Sequence, residues 1–261
     1  PACPRTVWQN LIKQPIQKAD LNLNHLKNFI NCKSGESFEK LTLCGDYGDT
    51  IYYPDLFKMI KMFRHKAFEI DTNGSYKTRK WWTELNSLLT MDDTVVFGID
   101  GLGEENTKYR VNANWESIET AVDVLSKGPA KLKCQTLIFD FNHKKLDEIK
   151  EWAENKGMEW FSMKTMRFGL DKDIVPKNEQ DILTKEMYKD EYEQKVPMEI
   201  NPQCLPSCVV TSDGYFMPCD WIRNPLTFYR SELYLQRKKW IDRLKISNIT
   251  LDDAYGVLEE W

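Results

Sequence analysis

The chain lacks any apolar run approaching the ~18 residues that a membrane-spanning helix needs, and its first residues carry no apolar segment of the kind that a secretory signal has. No stretch therefore reads as a membrane helix or a signal, and the expectation is a cytoplasmic protein with no membrane partner. Histidine is scarce. His25, His65 and His143 are the three present, none with a partner at ligand spacing, so they read as surface or loop residues and a histidine zinc site is not expected. An excess of positive charge is also missing: 36 Lys and Arg face 40 Asp and Glu, for a net charge of -4. Nucleic-acid binding driven by bulk charge is not expected from that balance. There is no internal repeat, no low-complexity tract, no phosphate-cradling glycine loop and no nucleophile–base pair.

What is present is 261 residues with 41% apolar content, enough for one large α/β domain and a small appendage. The seven cysteines, at 3, 32, 44, 134, 204, 208 and 219, are an odd number. That count fits reduced thiols or metal ligands better than a secreted disulfide framework. Only the last three are clustered. Cys44 and Cys134 stand in apolar runs and read as small buried hydrophobes, and Cys32 reads as incidental.

Strand-like and helix-like stretches alternate from about residue 38 to residue 165, the pattern of βα units around a parallel sheet. The expected strands are Lys40–Cys44, Ala67–Asp71, Thr94–Ile99, Lys131–Phe139 and Glu159–Lys164. The expected helices are Pro54–Phe63, Thr78–Leu89, Trp115–Ser126 and Lys144–Asn155, with Asn22–Asn31 as the first of the series. Residues 166–203, charged and proline-bearing, read as a connector. Residues 204–261 read as a small cysteine-bearing β-hairpin and helix module, with a helix near Ser231–Leu244.

Several short constellations fall at strand ends. Leu43-Cys44-Gly45-Asp46-Tyr47-Gly48-Asp49-Thr50 follows the first strand and precedes Pro54-Asp55-Leu56. Glycines there let the backbone approach a ligand, and a carboxylate can bind an ammonium group; a plain βα turn explains an isolated Gly-x-x-Gly-Asp equally well. The next strand ends Ile70-Asp71-Thr72-Asn73-Gly74, by itself a turn signal. The one after ends Val96-Phe97-Gly98-Ile99-Asp100-Gly101, followed by Tyr109-Arg110 before the helix at Trp115. Arg110 reads either as a solvated charge or as a bidentate partner for a carboxylate.

Taken in order, these constellations resemble those of radical S-adenosylmethionine enzymes. The chain opens Pro1-Ala2-Cys3-Pro4-Arg5, which resembles the close of that family's C-x3-C-x2-C cluster loop, with Cys3 as the third cysteine. Gly48-Asp49 resembles the G-E of the G-x-x-G-E-P stretch, with Asp49 for Glu and Thr50 for Pro. Thr72-Asn73-Gly74 resembles T-N-G. Gly98-Ile99-Asp100-Gly101 resembles S-I-D-G, with Gly98 for Ser. Tyr109-Arg110 before the helix at Trp115 resembles the family's Y-R. Together with the three strand-end motifs it makes four weak motifs in the right order, where βα folds bind ligands, and so one strong signal.

The resemblance implies a partial (β/α)6 TIM-like barrel over residues 1–165, lacking part of its N-terminus. It implies S-adenosyl-L-methionine held by Gly48, Asp49, Asn73, Gly98, Asp100 and Arg110. A [4Fe-4S] cluster would be held in part by Cys3. One electron then cleaves the cofactor's carbon–sulfur bond, and the resulting 5′-deoxyadenosyl radical abstracts a substrate hydrogen. No catalytic side chain is assigned beyond these. On this reading the chain begins inside the cluster loop, so alone it is expected neither to assemble that cluster nor to turn over.

The second constellation is Cys204-Leu205-Pro206-Ser207-Cys208, then Asp213-Gly214 and Cys219. A hairpin turning at Asp213-Gly214 would bring cysteines at its two ends together, as a shared iron–sulfur cluster or a zinc knuckle requires. The C-x9-G-x4-C spacing from Cys204 to Cys219 resembles the opening of the SPASM or Twitch auxiliary-cluster module. That resemblance makes Cys204, Cys208 and Cys219 cluster ligands, and Ser247-Asn248-Ile249 a match to the segment preceding the module's later cysteines. It also implies a peptide or small-molecule substrate and a one-electron donor such as flavodoxin or ferredoxin. The alternative is a non-catalytic barrel scaffold or binding protein with structural zinc at Cys204, Cys208 and Cys219.

Overall fold

The computed structural model describes residues 19–45, 48–164, 174–177, 208–217 and 242–259. Helices α1 (Leu23–Ile30) and α2 (Lys33–Glu36) lead into a regular alternation. Its members are β1 (Lys40–Leu43), α3 (Leu56–Met62), β2 (Ala67–Thr72), α4 (Arg79–Leu88), β3 (Thr94–Gly98), α5 (Trp115–Leu125), β4 (Lys131–Leu137), α6 (Leu146–Asn155) and β5 (Glu159–Met163). The later described elements are β6 (Val209–Val210), β7 (Phe216–Met217) and α7 (Leu251–Glu259).

Strands β1 to β5 form one sheet in sequential order, every pair parallel. This is the α/β arrangement of a TIM-like partial barrel: the periodicities led to the parallel sheet, and the resemblance implied the partial barrel. Side chains alternate across the strands. One face carries Phe68, Ile70, Val95, Phe97 and Cys134, all fully buried. The other carries Glu69, Asp71, Val96, Gly98, Lys133 and Gln135, linked across strands by the register pairs Asp71↔Val96 and Gly98↔Gln135. The apolar face lies under the helices, with Trp82 of α4 ring-to-ring with Phe97 at 6.3 Å. Helix α3 buries Leu56, Met59 and Ile60, one stripe at three- to four-residue spacing. Helix α5 does the same with Ile118, Ala121, Val122 and Leu125.

Helix starts are fixed by side-chain oxygens. Thr78 accepts from Trp81 N before α4, and Asn114 accepts from Ser117 N before α5. At the N-terminal edge of the sheet the fully buried Asp93 accepts from Phe68 N at 2.7 Å, from Thr90 N at 2.7 Å and from Arg64 Nη2 at 2.7 Å. It ties the starts of β2 and β3 together and leaves no charge unpaired.

The chain divides into two units: residues 1–14 with 40–195, and 15–39 with 196–261. Helix α1, expected as the first barrel helix, groups in the second unit. There Phe29 meets Phe216 of β7 at 5.6 Å, and Ser34 N donates to Asp252 of α7 at 3.1 Å. Cys134 is buried as expected, whereas Cys44 is exposed, because it lies one residue past the end of β1. The expected helix near Ser231–Leu244 falls almost wholly outside the described residues. None of the described helices is long and apolar enough to cross a membrane.

Candidate functional site

The C-terminal ends of β1, β2 and β3 lie side by side, and Asp49 joins two of them. It caps the short 3-10 turn Thr50–Tyr52, with Oδ1 accepting from Ile51 N at 3.2 Å. The same oxygen accepts from Thr72 Oγ1 at 2.7 Å, and Oδ2 accepts from Asn73 N at 2.6 Å. A carboxylate offers about four lone-pair sites, so three donors leave room for about one more. Thr50 has its own function here: its hydroxyl donates to Leu43 O at 2.8 Å, closing the loop onto β1.

Within the glycine loop the close approach occurs at Gly45. A Cβ on Gly45 would meet Gly48 O at 2.5 Å, whereas one on Gly48 would point into open space. Asn73 turns its side chain to its own loop, with Oδ1 accepting from Ser75 N at 2.8 Å, while Gly74 takes the left-handed backbone at φ +73. Beyond it, Tyr52 donates its hydroxyl to Ser75 O at 3.0 Å, and Lys77 lies over the Tyr52 ring at 4.6 Å. Burial foremost, then the charges of Asp49 and Tyr76, raises the Tyr52 phenol above its ordinary value.

The third strand end holds a buried charge pair. Arg110 Nε stands 2.8 Å from Asp100 Oδ2, and Asp100 is fully buried. Asp100 Oδ1 also accepts from Leu137 N at 2.8 Å, and its backbone N–H donates to Asn106 Oδ1 at 3.0 Å. Asn142, equally buried, donates to both Asp100 O and Leu137 O at 2.8 Å. The Arg110 guanidinium lies where a Cβ on Gly98 would sit, which accounts for glycine at that position. The structure thus brings Gly98, Asp100 and Arg110 together. Asp100, expected among the residues that hold S-adenosyl-L-methionine, is enclosed and paired with the arginine, while Arg110 keeps an exposed edge.

Asp49, Asn73 and the Gly98–Asp100–Arg110 group were legible as motifs. Asn106 and Asn142, which lock the buried pair, carried no sequence signal beyond loop polarity.

In the second unit β6 and β7 pair antiparallel, with Val209 opposite Met217 and Val210 opposite Phe216. The turn falls at Asp213-Gly214 as expected, with Gly214 at φ +83 and its N–H donating to Thr211 O at 2.9 Å. Cys208 immediately precedes β6, half-buried, its thiol pushed up to about 12 by burial and then by charge on Cys32. Cys3, Cys204 and Cys219 lie outside the described residues. Among the described residues no three His, Cys, Asp or Glu side chains form a metal-ligand group.

No protein-family model and no curated protein matches the chain. Solved structures do. SuiB from Streptococcus suis, bound to S-adenosylmethionine, superposes with a TM-score of 0.57 over 80% of this chain and 55% of its own, at 10% identity. The chain therefore spans little more than half the length of SuiB. The structure of anSMEcpe with bound AdoMet superposes at 0.56 over 90% of this chain and 68% of its own, at 15% identity. The anSMEcpe structure with bound AdoMet and the Cp18Cys peptide superposes at 0.55, over 90% and 72%, also at 15% identity. With a sequential parallel sheet and these superpositions, the chain has the α/β fold that SuiB and anSMEcpe share.

Proposed function

We propose that this chain is a radical S-adenosylmethionine enzyme. The observation that carries the reading is positional: Gly48-Asp49, Asn73 and the Gly98–Asp100–Arg110 group follow β1, β2 and β3 at one edge of a parallel sheet. That edge is where βα folds bind ligands. Support also comes from the fold shared with two proteins whose structures hold S-adenosylmethionine.

The donor set fits the cofactor's polar end. Asp49 retains an acceptor site for an ammonium group, and the exposed edge of Arg110 can take a carboxylate bidentately. Exposed backbone at the Gly48 loop, open for a ligand's approach, sits beside Asp49. Cys3 would hold an iron–sulfur cluster in part. When bound, the cluster and S-adenosylmethionine supply reductive cleavage of a carbon–sulfur bond and a 5′-deoxyadenosyl radical for hydrogen abstraction. The residues described here orient the cofactor: Thr72 and Asn73 hold Asp49, and Asp100 holds Arg110.

The substrate reading is a peptide, or else a small molecule, with a flavodoxin or ferredoxin as electron donor, in the cytoplasm. The Cp18Cys peptide in the anSMEcpe structure supports the peptide class. Cys204, Cys208 and Cys219 would hold an auxiliary iron–sulfur centre.

One observation favours a second reading, a scaffold with structural zinc: Asp100, one of the assigned ligand contacts, is enclosed in an internal ion pair. Anaerobic incubation of the protein, expressed from its complete coding sequence, with S-adenosylmethionine and dithionite separates them. The enzyme releases 5′-deoxyadenosine; a colourless zinc protein releasing none overturns the enzyme reading.

A further inference from the structure

Exposed apolar surface gathers at one edge of the parallel sheet. Among the described residues five large hydrophobic side chains stand exposed, and four of them share that edge. Tyr52, Tyr76 and Val111 lie in the loops after β1, β2 and β3, and Met163 is the last residue of β5. Scattered singly, such residues need no explanation; gathered on the edge that also carries Asp49, Asn73 and Arg110, they mark a contact surface. Tyr52 is 48% exposed and Tyr76 60%. Tyrosine is a residue in which binding surfaces are rich.

The loop after β2 is fixed from several sides. The buried Ser75 accepts from the Tyr52 hydroxyl on its backbone O at 3.0 Å, donates N–H to Asn73 Oδ1 at 2.8 Å, and accepts from Asn114 N on Oγ at 3.2 Å. Asn73 N in turn donates to Asp49, so the loop is bonded directly to the carboxylate of the site. Tyr76 follows at φ 64 and donates its hydroxyl to the backbone O of Asn112, which is itself at φ 66. A tyrosine in left-handed backbone persists only where its surroundings hold it, and such outliers gather at ligand clamps.

What this loop presents is Lys77. Half-buried, it carries its ammonium 4.6 Å over the Tyr52 ring and 5.0 Å over the Trp81 ring, while its backbone O accepts from Ser117 Oγ at 3.3 Å. Among the described residues no carboxylate pairs with that ammonium. The ring faces offset part of its lost hydration, but they give its three N–H donors no oxygen. The other cations near this edge are engaged: Arg110 with Asp100, and Lys108 and Lys145 with Glu105.

We propose that Lys77 recognises a carboxylate of the substrate peptide, which lies across Tyr52 and Tyr76 with that carboxylate on the ammonium. The inference deepens the peptide reading given above and rests on it. A lysine already held in place spends little rotamer freedom on binding, which a mobile surface lysine would lose. The carboxylate belongs to an acidic side chain or to the peptide's free C-terminus, and the chemistry at Lys77 is the same for both.

The test uses the protein expressed from its complete coding sequence, reconstituted anaerobically and loaded with S-adenosylmethionine. The probes are pools of random short peptides, with Asp and Glu present or replaced by Asn and Gln, each pool with free or amidated C-termini. Peptides retained on the immobilised protein are identified by mass spectrometry. Preference for acidic pools identifies the side-chain source; dependence on the free terminus identifies the other. For the best-retained peptide, Lys77→Gln is expected to weaken binding roughly 10-fold, the loss of one charge-assisted hydrogen bond. Lys77→Arg should keep most of the affinity, and the distant Lys150→Gln should change nothing. On the wild type, a zero-length carbodiimide, which joins a carboxylate to an adjacent amine, should link the bound peptide to Lys77, so the result does not depend on a variant folding.

Equal retention of charged and uncharged peptides, no retention of any pool, or a cross-link that maps away from Lys77 overturns the proposal. So does a Lys77→Gln protein that loses affinity for S-adenosylmethionine but not for the peptide. If the same preparation releases 5′-deoxyadenosine, the enzyme reading survives that failure. Acidic peptides held through Lys77 by a protein that releases none would sink the enzyme reading and leave the carboxylate contact.

Discussion

The guanidinium of Arg110 fills the space that a side chain on Gly98 would occupy, while its Nε sits 2.8 Å from the buried Asp100 carboxylate. A methyl at residue 98 has to displace the arginine from its partner. Gly98→Ala is therefore expected to destabilise the fold by about 1–3 kcal/mol, the usual cost of overpacking. Most of that cost should vanish when Arg110 is already alanine. Urea unfolding of both single variants and the double variant measures the coupling; purely additive losses would show that the two residues do not compete for one space.

Removing the charge at Asp100 leaves Arg110 facing a neutral partner in a closed environment. Asp100→Asn should cost about 3 kcal/mol, in the range for breaking a buried pair. Its remaining oxygen can still accept from Leu137 N, so the loss reports the ion pair more than that bond. A change below about 0.5 kcal/mol in denaturant unfolding would mean that the pair is solvated.

Asp49 distinguishes cofactor binding from structure. Asp49→Asn preserves an acceptor for Asn73 N but removes the charge that an ammonium group would meet. The loss of a charge-assisted hydrogen bond corresponds to roughly 10- to 100-fold in S-adenosylmethionine affinity, read by calorimetry. Unchanged affinity would remove Asp49 from the proposed cofactor contacts.

The buried thiol of Cys134 is pushed up to about 12, chiefly by burial, from an ordinary value of 9.0. Between those values the unfolded chain has lost a proton that the folded chain retains, so stability is full below pH 9 and falls as pH rises toward 12. Each such group contributes a slope of about 1.4 kcal/mol per pH unit. Cys134→Ala should lower stability at neutral pH and flatten that alkaline limb, as followed by thermal unfolding from pH 7 to 11. An equally steep limb in the variant would assign the effect elsewhere.

The sheet was readable because its periods were clean: Val95, Val96 and Phe97 form a buried run, and Leu56, Met59 and Ile60 mark one helix face. Asp49, Asn73 and Gly98 were readable as site candidates only through the order of their motifs and its resemblance to a known family, since each motif taken alone reads as an ordinary turn. The pairing of Asp100 with Arg110 was not readable, since a loop separates them and only folding decides whether the arginine turns inward. Nor was the role of α1. Its apolar stripe, Leu23, Leu26 and Phe29, fits packing on any apolar surface, and only folding sets Phe29 against Phe216.

The most direct test of the account is cofactor cleavage. The protein, expressed from its complete coding sequence and reconstituted anaerobically with iron and sulfide, should release 5′-deoxyadenosine from S-adenosylmethionine on reduction with dithionite, and Cys3→Ala should abolish that release. A wild type that binds zinc without iron and yields no 5′-deoxyadenosine would contradict it.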